Sequence, residues 1–370
     1  MTDSNTAKTV AIIGAGMGGL YLVAELGIAG FKLRLHDIDD SRLSDIRARG
    51  GVDVEGENGG FAAVELATSD LRSAIDGVDV IIIVTGGNPQ ALVARSAAPV
   101  LQAGQIILLI QGNTGGSLIV RRALDDAGCR AQVDVAEMDN YPYSCWRLSP
   151  TRIRPIVRKR WLQIATFPGN RISTVFPRLS PLFPEAVAAP NVLYTGFTNA
   201  NAMLHVANCV ANAARIESED KYKFYAEGVT PAVARLYEAI NAERVAVAAA
   251  LGASVPTLAD WFDRVYGVRG ASLVETCHHL TYNSDGPYRA TGTPNSLDHK
   301  FITEDVPTGL IPMSSLGAAA RVQTPTIDAL VEITRNMTGK DFAEGRTLER
   351  LGLSGMNTRQ IRLAVEEGFS

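Results

Sequence analysis

The chain has 370 residues, a net charge of −4, 46% hydrophobic and 20% charged residues, which is length enough for two domains with cores of their own. No long block of Lys and Arg occurs, so nucleic acid is not among the expected partners. The four cysteines, Cys129, Cys145, Cys209 and Cys277, show no CxxC or CxxH spacing, and neither a metal site nor a disulfide framework follows from them.

Residues 1–8 are polar and lack the apolar centre of a leader. The apolar runs "VIIIV" and "IILLI" are far shorter than the roughly 18 residues a membrane span needs, so no membrane association is expected and a cytoplasmic setting is. From Thr9 to about Val135, β-branched runs alternate with helical stretches: "TVAIIG", "FKLRLHD", "VDVIIIV", "QIILLIQ" and "QVDVAE". Continuous apolar strands separated by helices predict a parallel sheet covered on both faces. Residues 151–168 read as further strands, and the basic run "RIRPIVRKR", Arg152 to Arg160, as a solvated strand face. Beyond residue 190 the period turns helical, with helices expected over 198–217, 231–251, 257–266, 270–281 and 308–338. The expected architecture is α/β: an N-terminal doubly wound sheet of the Rossmann type over residues 1–190, then an all-helical substrate domain over 191–370.

"VAIIGAGMGGLYL" places Gly14, Gly16 and Gly19 in GxGxxG spacing directly after a strand and opening a helix at Met17. The first glycine allows the tight turn, the second lets backbone approach a pyrophosphate, and the third lets helix and strand pack closely. The second strand ends in Asp37, about 20 residues past the glycines, where a carboxylate can accept from both ribose hydroxyls of adenosine. Asp39 and Asp40 follow it and would repel a 2'-phosphate, which favours NAD while leaving NADP open. The alternative for Asp37 is an N-cap, a task Asp39 or Ser41 could equally serve. Two uncharged glycine loops at later strand ends, with Thr85 and Gly86 in one and Asn113 and Gly115 in the other, are further candidates for cofactor and substrate contact.

In "NAMLHVANCVANAARIES", Asn201, His205, Asn208 and Asn212 share one helix face within about 60 degrees, and no charged residue occurs from Asn199 to Ala214. Such a stripe is expected to be shielded from bulk water, either as a hydrogen-bonded core histidine or at a cleft. An enzyme that moves a hydride also needs a group for the matching proton, and imidazole suits that task near neutral pH. In "KFITEDVPTGLIP", Glu304 or Asp305 can supply a carboxylate behind the ring, or simply cap the following helix.

The N-terminal "VAIIGAGMGG", the central "VAEMDNYPYSCWRL", the helix "LHVANCVANAARIE", the long "FYAEGVTPAVARLYEAINAERVAVAAALG" and the turn "FITEDVP" together resemble the opine dehydrogenases, the family that includes octopine and nopaline dehydrogenases. The resemblance spans nearly the whole chain. It implies a Rossmann domain joined to an all-helical one and reductive condensation of an amino acid with a 2-oxo acid, commonly pyruvate, using NADH or NADPH. It further implies that His205 matches the catalytic histidine and Asp305 its carboxylate partner. Lys300 stands where some members carry an arginine; it keeps the charge but not the bidentate fork. Lys300, Arg147 and Gly115 are the candidates for substrate, and Gly14, Gly16, Met17, Gly19, Asp37, Thr85, Gly86 and Asn113 those for the cofactor. A homodimer is compatible with this reading. Two alternatives remain: a ketopantoate or glycerol-phosphate type of reductase relying on lysine, and a non-catalytic NAD-binding sensor.

Overall fold

The structure is a computed structural model that describes residues 9–56, 59–289 and 291–369, without the side chains of 144–146. The polar stretch 1–8 and the Cys145 side chain therefore lie outside the described residues. Twelve strands are described: β1 (Thr9–Ile13), β2 (Lys32–His36), β3 (Gly51–Val54), β4 (Gly60–Ala63), β5 (Leu66–Thr68), β6 (Val80–Ile83), β7 (Ile106–Ile110), β8 (Asp134–Met138), β9 (Tyr143–Ser149), β10 (Arg152–Arg158), β11 (Leu162–Phe167) and β12 (Ala186–Ala188). Eight of them form one sheet in the order β12-β11-β8-β7-β6-β1-β2-β5. Its pairs are parallel except β11, which runs antiparallel to β8. The central strands β6 and β7 are buried at every position, as continuous apolar runs require in a sheet covered on both faces. The strand order reverses beside β1, so the carboxyl ends of β1 and β6 open the crevice where such sheets place ligands.

The second sheet, β4-β3-β10-β9, was only half expected. Strands β3, β4 and β9 are short or irregular, and β10 carries Pro155 next to a register shift against β9, a position where proline is tolerated because pairing is already interrupted. The exposed arginines of β10 meet carboxylates: Arg152 and Arg154 pair with Glu55, and Arg158 with Glu25 and Glu185. The solvated reading holds for these arginines but fails for the next residue, Lys159, which is 6% exposed.

After β12 every described element is helical. The expected helix at 198–217 is three pieces, Val192–Thr198, Asn201–Ala211 and Ala213–Glu217, because Asn199 and Asn212 leave helical geometry and use their side chains elsewhere. The expected run at 308–338 is also divided. A π-helical turn, Val306–Leu310, leads into Ile311–Ala320, which stops at the left-handed Arg321 (φ 56°); Pro325 then opens the next helix. No described helix is long and apolar enough to cross a membrane.

Polar groups lock the two halves together. Asn113, at φ 55°, donates its amide to Thr308 Oγ1 (2.8 Å) and accepts from Asn199 Nδ2 (3.2 Å). Arg346, 3% exposed, reaches from the helical half to the carbonyls of Gly87, Gly112 and Thr114 and to Gln90 Oε1. A buried guanidinium satisfied by carbonyl oxygens fixes the seam in one arrangement, because any opening would strand its donors.

Candidate active site

The glycine loop has the geometry its spacing requires. Gly14 is at φ +118° and donates its backbone N–H to His36 O (2.7 Å). A Cβ on Gly19 would lie 1.7 Å from Gly14 O, so helix Met17–Ile28 rests directly on the turn. Gly16 has nothing within 4 Å of its Cβ position and caps that helix without a side-chain bond, leaving open space before free amide groups. The Asp37 carboxylate accepts from Ala15 N–H (2.7 Å) and Asp39 N–H (3.0 Å). Capping of the following turn falls to Asp39, which takes Ser41 N–H. Asp37 is thus fastened to the glycine loop, and Arg42 (3.7 Å away) also bonds Asp39. These features fit a dinucleotide: a backbone cradle that any Cβ would fill, bordered by a carboxylate. Thr85 adds a buried hydroxyl with no partner among the described residues.

A cleft of about 660 Å³ opens from this loop towards the helical half. Its walls include Gly16, Met17, Thr85 and Gly86 from the sheet side and His205, Tyr225, Lys300 and Phe301 from the helical side. His205 projects from the middle of helix Asn201–Ala211. Its Nδ1 lies 2.5 Å from Asp305 Oδ2 and its Nε2 lies 2.6 Å from the Tyr225 hydroxyl. The ring stacks on Phe301 at 3.9 Å and 18°. Asp305 begins the π-helical turn but makes no capping bond, so its carboxylate serves the imidazole instead. Asn208 and Asn212 of the polar stripe turn inward: Asn208 donates to Phe224 O, while Asn212 donates to Asn208 Oδ1 and Gly228 O. Those bonds fix the segment that delivers Tyr225 to the ring. Burial pushes the Tyr225 phenol well above its ordinary range, so this hydroxyl stays protonated and can donate to a neutral Nε2.

Glu304, the neighbour of Asp305, crosses the seam and accepts from Gly87 N–H (2.9 Å). Its pKa is raised first by burial and then by the adjacent Asp305 charge. The residues alone did not distinguish its task from that of Asp305, which only the family resemblance singled out; both follow from where the π-helical turn aims successive side chains.

Three of the expected site residues lie outside the cleft lining. The Asn113 amide is committed to Thr308 and Asn199 and ties the halves together rather than lining the cleft. Gly115 opens helix Gly116–Asp126 in the left-handed region with Leu351 against it, away from the cleft. Arg147 lies on β9 in the small sheet, exposed, with Nε bonded to Ser149 O. Gly-rich and charged character is visible in a sequence, whereas the direction a loop or strand faces is not. Lys159 and Asn140 line the cleft but were not anticipated.

Comparison with known proteins decides the family. The NAD/NADP octopine/nopaline dehydrogenase, alpha-helical domain model matches residues 188–338, and the ketopantoate reductase PanE/ApbA model matches residues 10–129. An opine dehydrogenase from Arthrobacter sp. (strain 1C) is 36% identical over 362 residues, covering 97% of this chain and 99% of its own length. The chain belongs to the opine dehydrogenase family. Protein ocs of Agrobacterium vitis is 26% identical across 96% of the chain and 98% of its own. Octopine dehydrogenase, solved with NADH and L-arginine, superposes with a TM-score of 0.77 at 20% identity over 98% of both chains and shares the fold. As an opine dehydrogenase the protein is an NAD(P)-dependent oxidoreductase acting on a CH–NH bond, with a Rossmann-type sheet followed by a helical domain.

Proposed function

We propose that this enzyme condenses an amino acid with a 2-oxo acid such as pyruvate and reduces the resulting imine to an N-(carboxyalkyl) amino acid, with His205 as general acid and base and Asp305 as its orienting partner. The observation that carries this reading is the short His205–Asp305 contact (2.5 Å) in a cleft that also exposes the glycine loop. Solved octopine dehydrogenase complexes with NADH and L-arginine, and with NADH and pyruvate, support the substrate classes. Residues 1–190 would bind the cofactor and 191–370 would carry most of the catalytic groups.

The nicotinamide, when bound, supplies the hydride. Gly16 and the first amides of helix Met17–Ile28 would hold the pyrophosphate, Asp37 the adenosine ribose, and Met17, Thr85 and Gly86 the remainder of the dinucleotide. Asp305 accepts the Nδ1 proton and leaves Nε2 as the working nitrogen. Phe301 keeps the ring plane fixed, and the Tyr225 hydroxyl occupies Nε2 until substrate replaces it. In the protonated state, His205 donates from Nε2 to the reacting carbonyl oxygen or imine nitrogen, so water leaves on condensation and the amine is completed on reduction. In the reverse direction the same nitrogen takes the proton back. Lys300 offers its ammonium to a substrate carboxylate.

Mixing the protein with NADH, pyruvate and pools of amino acids tests this reading. Loss of NADH absorbance with at least one pair is expected, whereas binding of NADH without oxidation by any pair would favour a sensor. Asp305→Asn should reduce turnover less than loss of the histidine does and should change the shape of the pH–rate profile; an unchanged profile would remove Asp305 from the proton path. Asp37→Ser should raise the KM for NADH and relax the preference towards NADPH. If neither parameter moves, Asp37 only braces the glycine loop.

A further inference from the structure

The cleft wall contributed by the sheet domain holds a cation that the proposed chemistry has not used. Lys159 follows the end of β10, and its backbone N–H donates to Pro142 O (3.0 Å), which folds it against the segment leaving β8. The residue is only 6% exposed, yet it lines the cleft. Its ammonium makes no hydrogen bond or ion pair with any described residue. Asp139 influences it through charge alone and spends Oδ1 on Gln163 N–H (2.9 Å). Burial lowers the Lys159 pKa and raises that of Asp139, each opposed by the other's charge. Beside them Asn140, 4% exposed and also on the cleft wall, accepts at Oδ1 from Tyr141 N–H, while its Nδ2 has no partner among the described residues.

A buried amide donor without an acceptor is costly unless a ligand completes it, and an ammonium with no partner among the described residues lies on the same cleft wall. An ammonium and an amide together suit a carboxylate, which accepts at both oxygens. The imine and its reduced product carry two carboxylates. Among the described residues lining the cleft, the lysines and arginines are Lys159 on the sheet side and Lys300 on the helical side. We propose that Lys159 and the Asn140 amide hold one of the two substrate carboxylates, leaving the other to Lys300, so that the imine is clamped between the domains with its reacting carbon in the cleft. This rests on the opine-forming reading above.

The test compares wild type with Lys159→Met, Lys159→Arg and Asn140→Ala, each varied against the oxo acid, the amino acid and NADH. Acid-over-amide preference is measured with pyruvate against pyruvamide and with the amino acid against its carboxamide. Lys159→Met should raise the KM of one of the two acids at least tenfold and flatten its acid-over-amide preference. The KM for NADH should stay unchanged and kcat within a few-fold. Lys159→Arg should recover part of the preference, and Asn140→Ala should weaken it in the same direction. Whichever acid responds identifies the carboxylate held.

Preferences intact for both acids in Lys159→Met would overturn the proposal, as would a loss confined to kcat, which would make the lysine a proton donor. If Lys159→Met does not fold, Lys159→Arg and Asn140→Ala decide by the same preferences. Should the wild type turn over no pair, the opine-forming reading fails. Calorimetric titration of pyruvate against pyruvamide, and of an amino acid against its carboxamide, into the NADH-loaded protein then decides the anion site separately: tighter binding of either acid that is lost in Lys159→Met supports it, and equal binding within both pairs refutes it.

Discussion

Replacing His205 with Asn is expected to lower turnover by about two to four powers of ten, the usual contribution of a positioned acid–base group. Affinity for NADH should change little, because the ring touches Asp305, Tyr225 and Phe301 rather than the glycine loop. Asparagine also fits the site without leaving a large void and can still bond Asp305 or Tyr225, so the folded structure should persist. Stability measured by urea unfolding separates a catalytic loss from a structural one. Equal turnover in mutant and wild type would remove the histidine from the mechanism.

The second large effect concerns Gly16 and Gly19, three residues apart, which should fail in different ways. A Cβ at Gly19 meets Gly14 O at 1.7 Å, a backbone atom that cannot turn aside. Gly19→Ala should therefore both loosen the turn, costing about 1–3 kcal/mol of stability as overpacking does, and weaken NADH binding by an order of magnitude or more. A Cβ at Gly16 meets nothing within 4 Å. Gly16→Ala should leave stability within about 0.5 kcal/mol of wild type while lowering NADH affinity, since the methyl group would stand where the dinucleotide is expected. Thermal unfolding and NADH fluorescence titration on both variants check the pair. Unimpaired NADH binding by Gly16→Ala would remove the pyrophosphate from that space.

The parts of the molecule legible in the sequence are those specified locally. Glycine spacing announces a turn because only glycine permits φ +118° at Gly14 and the close approach at Gly19. The continuous apolar strands β6 and β7 announce a sheet covered on both faces. The shielded stripe on helix Asn201–Ala211 was readable because it contains no charge, although Asn208 and Asn212 bond the 222–228 segment rather than the cleft. The His205–Asp305 pair spans 100 residues, and the family resemblance rather than spacing suggested it.

Features that depend on the direction of a chain at the end of an element were not legible. Lys159 follows Arg152, Arg154 and Arg158, which stay exposed and pair with carboxylates, and one bond to Pro142 O turns it inward. Asn113 and Gly115 sit in a glycine loop like the cofactor loops, but the helical half covers them through Thr308 and Leu351. Arg147 belongs to a second sheet whose short strands leave little hydrophobic pattern. For Asn113 and Gly115 the deciding contact comes from more than a hundred residues away, for Lys159 from the turn at Pro142, and for Arg147 from an unanticipated strand.

A crystal structure of the ternary complex with oxidised cofactor and the N-(carboxyalkyl) amino acid product tests the central claim most directly. It should show His205 Nε2 released from Tyr225 and within about 3 Å of the product's secondary amine nitrogen, with Nδ1 still on Asp305. An imidazole that keeps its bond to Tyr225 while the product lies beyond its reach would contradict the account.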